Sequence, residues 1–274
     1  MSNPLPAPLT ARNARVKDAR KLSRRSVRAE RRLFLADGPK AVEAALERGV
    51  VVEVFAAPAA RQQYADLLAA APRASEVDDR ALAALSDSVS PAGLVAVCRY
   101  FDIPLAEALA PSSTTSLVTI AADVRDPGNA GTLVRTCDAF GADAMVLAGR
   151  SVDLYNPKTV RASVGSVFHL PVAVTPAPAE AVTSARERGL LVLAADGDGD
   201  LSLDDAADLL AGPIAWLFGN EAWGLPAELS ALADHRVRIP TPGRAESLNL
   251  ATAAAVCLHE SVRTRRAAPS PDLP

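Results

Sequence analysis

The chain has 274 residues, 49% of them hydrophobic and 22% charged, with a formal net charge of −3. That length suits two folded domains, and the composition is that of neither a disordered nor a fibrous chain. No run approaches the ~18 uncharged apolar residues of a membrane helix. The opening MSNPLPAPLT lacks the apolar stretch of a secretory leader, so a cytoplasmic protein with no membrane partner is expected.

The charge is unevenly placed. Residues 1–40 hold 11 Lys or Arg against 3 Asp or Glu, whereas the rest of the chain holds 18 against 29. The excess comes from ARNARVKDARKLSRRSVRAERR. Basic arms of this kind bind phosphate backbones by releasing counterions, although a solvated helix or a disordered tail would carry the same charges. Residues 1–32 are read as a basic arm, with Arg15, Arg24, Arg25, Arg28 and Arg31 as RNA contacts.

Residues 33–105 read as a small α/β unit. GPKAVEAALERG is a helix closed by Gly49, VVVEVFAA a buried strand, RQQYADLLAAA a second helix and GLVAVCRY a second strand. Prolines 104 and 111 and a run of hydroxyl residues make 106–116 a linker. From 117 to 265 strands and helices alternate. LVTIAAD, AMVLAG, LPVAV, LLVLAAD, IAWLFG and RVRIP are strands, and a long last helix runs from about 247 to 265. Residues 266–274 are read as a disordered tail. Continuous apolar strands separated by helices predict a parallel sheet covered on both faces. Ligands bind such sheets at the carboxyl ends of the strands.

Cys98, Cys137 and Cys257 are few, odd in number and far apart, and His169, His235 and His259 are as scattered. A disulfide framework and a metal site are not expected.

Three strand ends carry unusual polar loops. In DVRDPGNAGTLVRTCDAFGAD, Asn129 sits where a helix N-cap belongs, Phe140-Gly141 ends the helix, and Arg135 lies off the apolar stripe, two turns in. In WLFGNEAWGLP, Gly219 and Gly224 permit close backbone approach, and Glu221 follows a buried strand, where a carboxylate must face water or find a partner. In IPTPGRAESLNLATAAA, Ser247 can cap the last helix, which leaves Glu246 and Asn249 unexplained. Each loop alone has an ordinary reading as a turn or a cap. Together they place Asn129, Arg135, Glu221, Ser247 and Asn249 at one edge of one sheet. The glycine fingerprint G-x-G-x-x-G is absent, so a nicotinamide-dependent dehydrogenase is unsupported.

DPGNAGTLVRTCDAFGAD, LFGNEAWGLP and IPTPGRAESLNLATAAA resemble the three successive motifs of the SpoU (TrmH-type) ribose 2′-O-methyltransferases of the SPOUT superfamily, over roughly residues 115–265. LFLADGPKAVEAAL is similar, more loosely, to the L30e-like substrate-binding domain that precedes many members. The resemblance implies an α/β fold with a trefoil-knotted C-terminal domain and a homodimer whose sites draw on both subunits. It implies S-adenosyl-L-methionine as cofactor, in a pocket lined largely through backbone groups by Leu217, Gly219, Ile239, Ser247 and Leu248. It puts Arg135 at the centre of methyl transfer to a ribose 2′-hydroxyl, with Asn129, Glu221 and Asn249 orienting Arg135 and the nucleotide, and Ser247 and Asn249 ordering the loop and touching RNA. The N-terminal domain and basic arm tilt the substrate toward 23S ribosomal RNA. The alternatives are a tRNA methyltransferase and a catalytically silent RNA-binding protein of the same fold.

Overall fold

The computed structural model describes residues 7–110 and 116–267, so the expected tail beyond 267 and the middle of the expected linker lie outside the described residues. Contacts divide the chain into two compact units, Met1–Phe101 with Tyr155–His169, and Asp102–Leu154 with Leu170–Pro274. This differs from the expected domains, because residues 155–169 go with the N-terminal unit rather than with the rest of 117–265.

The first unit runs α1 (Ala14–Arg20), α2 (Arg25–Arg31), β1 (Leu33–Asp37), α3 (Pro39–Glu47), β2 (Val51–Ala56), α4 (Pro58–Gln63), α5 (Ala65–Ala70), β3 (Ala74–Glu76), α6 (Asp79–Leu85) and β4 (Leu94–Arg99). Its sheet has the order β1-β4-β2-β3, with β4 antiparallel to both neighbours and β2 parallel to β3. The helix expected over RQQYADLLAAA is two helices, broken where Tyr64 leaves helical geometry. The elements β1, β3 and α6 add to those read from the sequence.

The basic arm is part of this unit. Val16, Ala19 and Leu22 are buried, and Leu9 pairs with the sheet edge, its N–H donating to the Glu76 carbonyl at 2.8 Å and its carbonyl accepting from Asp78 N–H at 3.0 Å. That corrects the reading of five equivalent RNA-binding arginines. Arg28 is 2% exposed and donates to the Leu22 and Ser23 carbonyls at 2.9 and 2.8 Å, because a buried guanidinium must find acceptors. Arg15 is half-buried, ion-paired with Glu53 and bonded to Ser75 Oγ at 2.6 Å. Arg31 pairs with Asp18 at 2.6 Å and holds that carboxyl below its ordinary range. Arg24 and Arg25 are exposed and have no partner among the described residues.

An aromatic cluster fixes residues 155–169 in this unit. Phe34 lies 4.7 Å from Tyr155 and 6.0 Å from Phe168 between ring centroids, Tyr100 stacks on Tyr155 at 3.7 Å, and Tyr155 Oη accepts from Phe101 N–H at 2.7 Å. Aromatic pairs at such distances add to the area they bury.

The second unit runs α7 (Leu105–Ala108), β5 (Leu117–Ala122), α8 (Pro127–Ala139) and β6 (Ala144–Ala148). After α9 (Pro157–Ser163), which belongs to the first unit, it continues with β7 (Val172–Thr175), α10 (Pro178–Glu187), β8 (Leu191–Ala195), β9 (Leu201–Ser202), α11 (Ala207–Leu210), β10 (Ile214–Phe218), α12 (Ala227–Ser230), β11 (His235–Arg238) and α13 (Leu250–Ala267). The seven strands are all parallel, in the order β7-β6-β5-β10-β8-β11-β9. The central strands β5, β6 and β10 are buried at every position, which is why they lack polar alternation. The expected linker 106–116 begins inside α7, whose Ala108 is packed in the core.

The last helix packs against α8 and α11. Trp216 Nε1 donates to Ser261 Oγ at 2.9 Å, and Arg265 donates to the carbonyls of Leu210, Gly212 and Ser116 at 3.0, 2.8 and 3.1 Å. All three cysteines are buried and free. Burial pushes the Cys137 thiol up to about 12 and raises those of Cys98 and Cys257 as well. Since the thiolate is the reactive form, the native protein is expected to show no fast reaction with a disulfide reagent at pH 8 and three equivalents after denaturation. One rapidly titrating thiol in the native state would contradict this packing.

Candidate active site

The site begins where β5 ends. Asp126, not Asn129, caps α8, its Oδ1 accepting from Asn129 N–H at 2.7 Å with Pro127 at the first helical position. Asn129 is therefore the third helical residue, and its side chain is free to reach sideways. Its Nδ2 donates to Glu221 Oε1 at 3.2 Å, and its Oδ1 accepts from Asn249 Nδ2 at 3.0 Å. One side chain thus joins the ends of three loops.

The second loop follows β10. A Cβ at Gly219 would lie 2.4–2.5 Å from backbone atoms of Gly224 and Leu225, so only glycine fits. The turn is closed by Asn220 and Gly224, which exchange backbone hydrogen bonds at 2.9 and 3.0 Å. Asn220 Nδ2 donates to the Asp123 carbonyl at 2.7 Å, and the Glu221 carboxylate accepts from the N–H groups of Arg125 and Asp126, both at 3.4 Å. These bonds tie the loop after β10 to the loop after β5.

The third loop reaches α13, which starts at Leu250. Its cap is Asn249, whose Oδ1 accepts from Ala251 N–H at 2.9 Å. Ser247, expected to be the cap, is two positions too early; it is exposed and makes no hydrogen bond among the described residues. Asn249 serves the helix with its oxygen and the network with its nitrogen.

Beside this network lies a cavity of about 290 Å³. Gly219, Ile239, Ser247 and Leu248 line it together, with Glu221 on its wall. Leu217 does not: its side chain is fully buried in the sheet core with Ile120 and Val192, because alternate residues of a strand point to opposite faces and its neighbour Phe218 takes the cavity side. Asp196, Thr241 and Glu246 also line the cavity and were not assigned from the sequence. Asp196 stands at the carboxyl end of β8, where the rule that located the other loops could have found it.

Arg135 stands apart. It is exposed on α8 and makes no hydrogen bond or ion pair among the described residues. Six residues beyond Asn129, it is turned roughly 120° from it around the helix axis and lies about 9 Å farther along. Within one chain it does not join the Asn129–Glu221–Asn249 network.

The SpoU rRNA Methylase family matches residues 116–259. The chain belongs to that family. An MRM3-like substrate binding domain matches residues 13–96, taking in most of the basic arm. A 23S rRNA (guanosine(2553)-2′-O)-methyltransferase from Bacillus subtilis (strain 168) is 32% identical over 255 residues, covering 91% of this chain and 96% of the relative. The AdoMet-bound rRNA methyltransferase from Sinorhizobium meliloti superposes with a TM-score of 0.82 at 32% identity, over 94% of this chain and 97% of that one. The SpoU methyltransferase AviRb from Streptomyces viridochromogenes, in complex with AdoMet, gives 0.83 at 31%, over 94% and 100%. A SPOUT fold with a parallel sheet and an N-terminal substrate-binding domain follows from these matches.

The cavity suits S-adenosyl-L-methionine on its own chemistry. Ile239 and Leu248 give apolar walls, and the carboxylates of Glu221 and Glu246 complement a cationic ligand. No backbone N–H of residues 239–249 donates a hydrogen bond among the described residues, which leaves main-chain donors for a nucleoside. Among the described residues no helix is long and apolar enough to cross a membrane, and no group of three or more His, Cys, Asp or Glu could hold a metal ion.

Proposed function

We propose that the chain is an S-adenosyl-L-methionine-dependent RNA methyltransferase that methylates a ribose 2′-hydroxyl of 23S ribosomal RNA. The observation that carries this reading is the Asn129–Glu221–Asn249 network holding three loops beside the cavity formed by Gly219, Ile239 and Leu248. When bound, S-adenosylmethionine would supply a methyl group on a sulfonium sulfur; transfer would break the S–C bond to leave a neutral thioether, form the O–C bond and pass the hydroxyl proton to water.

The protein's part is to align and to polarise. Alignment of two reactants can supply on the order of 7–11 kcal/mol, and the bonded loops hold the cavity wall for it. Arg135 grips an RNA phosphate and lowers the cost of charge on the 2′-oxygen. It acts through its field, since a guanidinium stays protonated and is no base. Because Arg135 lies off the network of its own chain, it serves the cavity of a second copy in a homodimer. Thr132, Arg135 and Ala139 on α8 and Thr252, Val256 and His259 on α13 form the exposed stripes of two adjoining helices, and these support that seam. The trefoil knot belongs to the same reading; β10 lying between β5 and β8, with α13 returning against α8, supports it. The enzyme works in the cytoplasm, where ribosomal RNA is.

The test is tritiated methyl transfer to 23S ribosomal RNA, with mapping of 2′-O-methyl sites in RNA from cells with and without the gene. A site lost from 23S RNA supports the reading; a site lost only from tRNA moves the substrate, and no transfer to any RNA overturns the activity.

Exposed Arg24 and Arg25 carry the electrostatic part of RNA binding. Deleting residues 1–32 would strip Val16 and Leu22 from the core and test folding instead. In an Arg24→Glu, Arg25→Glu variant the log-log salt slope of RNA binding is expected to flatten by about 1–2, near 0.7–0.9 per lost phosphate contact. An unchanged slope would remove both residues from the interface.

A further inference from the structure

We propose that Trp223, with Arg125 over its ring, is a stacking platform for an unpaired nucleobase of the RNA, set beside the mouth of the cofactor cavity. The inference rests on the RNA methyltransferase reading and adds to it a residue that grips the base.

The chain has two tryptophans. Trp216 is fully buried, whereas Trp223 is 58% exposed. An exposed indole on a slack loop would mean little, but this loop is held. Gly219 packs too closely on Gly224 and Leu225 to admit a Cβ, Asn220 and Gly224 close the turn, Asn220 is anchored on Asp123, and Glu221 on the backbone of Arg125 and Asp126. The ring is therefore presented in advance, with little ordering left to be done on binding.

Its surroundings select the ligand. Ala222 and Gly224 line the cavity and Trp223 between them does not, so the indole faces outward and the cofactor's adenine is not its partner. The Arg125 guanidinium carbon lies 5.9 Å from the ring centroid, within cation–π range. That guanidinium comes from a different loop, the one preceding Asn129, so the pair bridges two of the three site loops. A flat apolar face with a fixed cation at its side fits a base with its attached phosphate: the indole takes the π-face, and the arginine takes the charge. Stacking of this kind accepts any base. The platform thus steadies an unstacked nucleotide near the reacting ribose without choosing its identity.

The test compares wild type with Trp223→Ala and Trp223→Phe, using a single-stranded oligoribonucleotide for binding, 23S ribosomal RNA for kinetics, and S-adenosylmethionine alone by calorimetry. Trp223→Ala is expected to raise the RNA Kd and KM roughly 10–100-fold, with S-adenosylmethionine affinity within about twofold of wild type and Trp223→Phe recovering most of the loss. Wild-type tryptophan emission is expected to be quenched by the oligoribonucleotide. In Trp223→Phe, where Trp216 is the one tryptophan left, that quenching should vanish. Unchanged RNA binding in Trp223→Ala, a matching loss of S-adenosylmethionine affinity, or a shift of the sedimentation profile toward monomer would each overturn the platform, the last by making the ring a subunit contact. Wild type that methylates normally while Trp223→Ala binds RNA normally sinks this inference alone. Wild type that neither binds nor methylates RNA sinks the functional reading with it.

Discussion

Arg135→Ala is expected to reduce methyl transfer by at least ~10²–10³-fold while leaving S-adenosylmethionine affinity and thermal stability nearly unchanged. The size is that of losing one charged group that stabilises a developing oxyanion. The selectivity follows from the structure: Arg135 is exposed, has no partner among the described residues and lies outside the cavity wall, and surface substitutions of that kind change stability by about ±0.5 kcal/mol. Calorimetry with the cofactor, thermal melting and single-turnover transfer measure the three quantities. Lysine is expected to restore little, because it lacks the planar fork that grips a phosphate at two points. Equal loss of cofactor affinity and activity would move Arg135 from chemistry to folding. If the site is shared between copies, mixing Arg135→Ala chains with chains that bind the cofactor weakly, at a cofactor concentration that does not saturate the latter, raises the activity above that of either alone, since one of the two mixed sites has both components.

Gly219→Ala supplies such a chain and carries the second large effect. The added methyl would meet the Gly224 carbonyl carbon and oxygen and the Leu225 nitrogen at 2.4–2.5 Å, and none of these is the end of a flexible side chain. The turn must open, and opening it displaces Glu221, Ala222 and Gly224, all on the cavity wall. Overpacking costs roughly 1–3 kcal/mol, which as lost cofactor affinity is about 5–150-fold. The cost falls on a loop at the end of β10, so the sheet remains folded and circular dichroism is expected to match wild type. Cofactor titration that gives a wild-type Kd would show that the turn is looser than its hydrogen bonds indicate.

Much of this was legible in the sequence, for reasons that differ by element. The parallel sheet was readable because β5, β6 and β10 are buried throughout and appear as unbroken apolar runs. Two of the loops were readable because Asn129 and Glu221 follow the apolar runs of β5 and β10, and the third because Asn249 stands at the start of a long alanine-rich helix after a proline-glycine loop. Caps were not. Asp126 and Asn129, and likewise Ser247 and Asn249, are chemically equivalent candidates a few residues apart, and only backbone geometry decides between them. Leu217 came with the motif, and the motif does not say which strand residue turns to the cavity; alternation gives that side to Phe218. The basic arm misled for another reason: charge counts cannot see that Arg28 and Arg15 find acceptors at Leu22, Ser23 and Glu53. Nor can local pattern reveal that residues 155–169, more than fifty residues after β4, are held by Phe34 and Tyr100.

The double duty of Asn249 gives the site a direction. Once α13 claims its amide oxygen as acceptor, only the amide nitrogen can face Asn129, which must answer with its own oxygen. The remaining NH₂ of Asn129 then has to point at Glu221. Reversing any link would set like against like, two donors or two lone pairs. The winding of a helix's first turn thereby fixes the direction of a polar relay ending at a carboxylate more than twenty-five residues earlier in the chain, and the cavity wall has a single permitted proton arrangement rather than two.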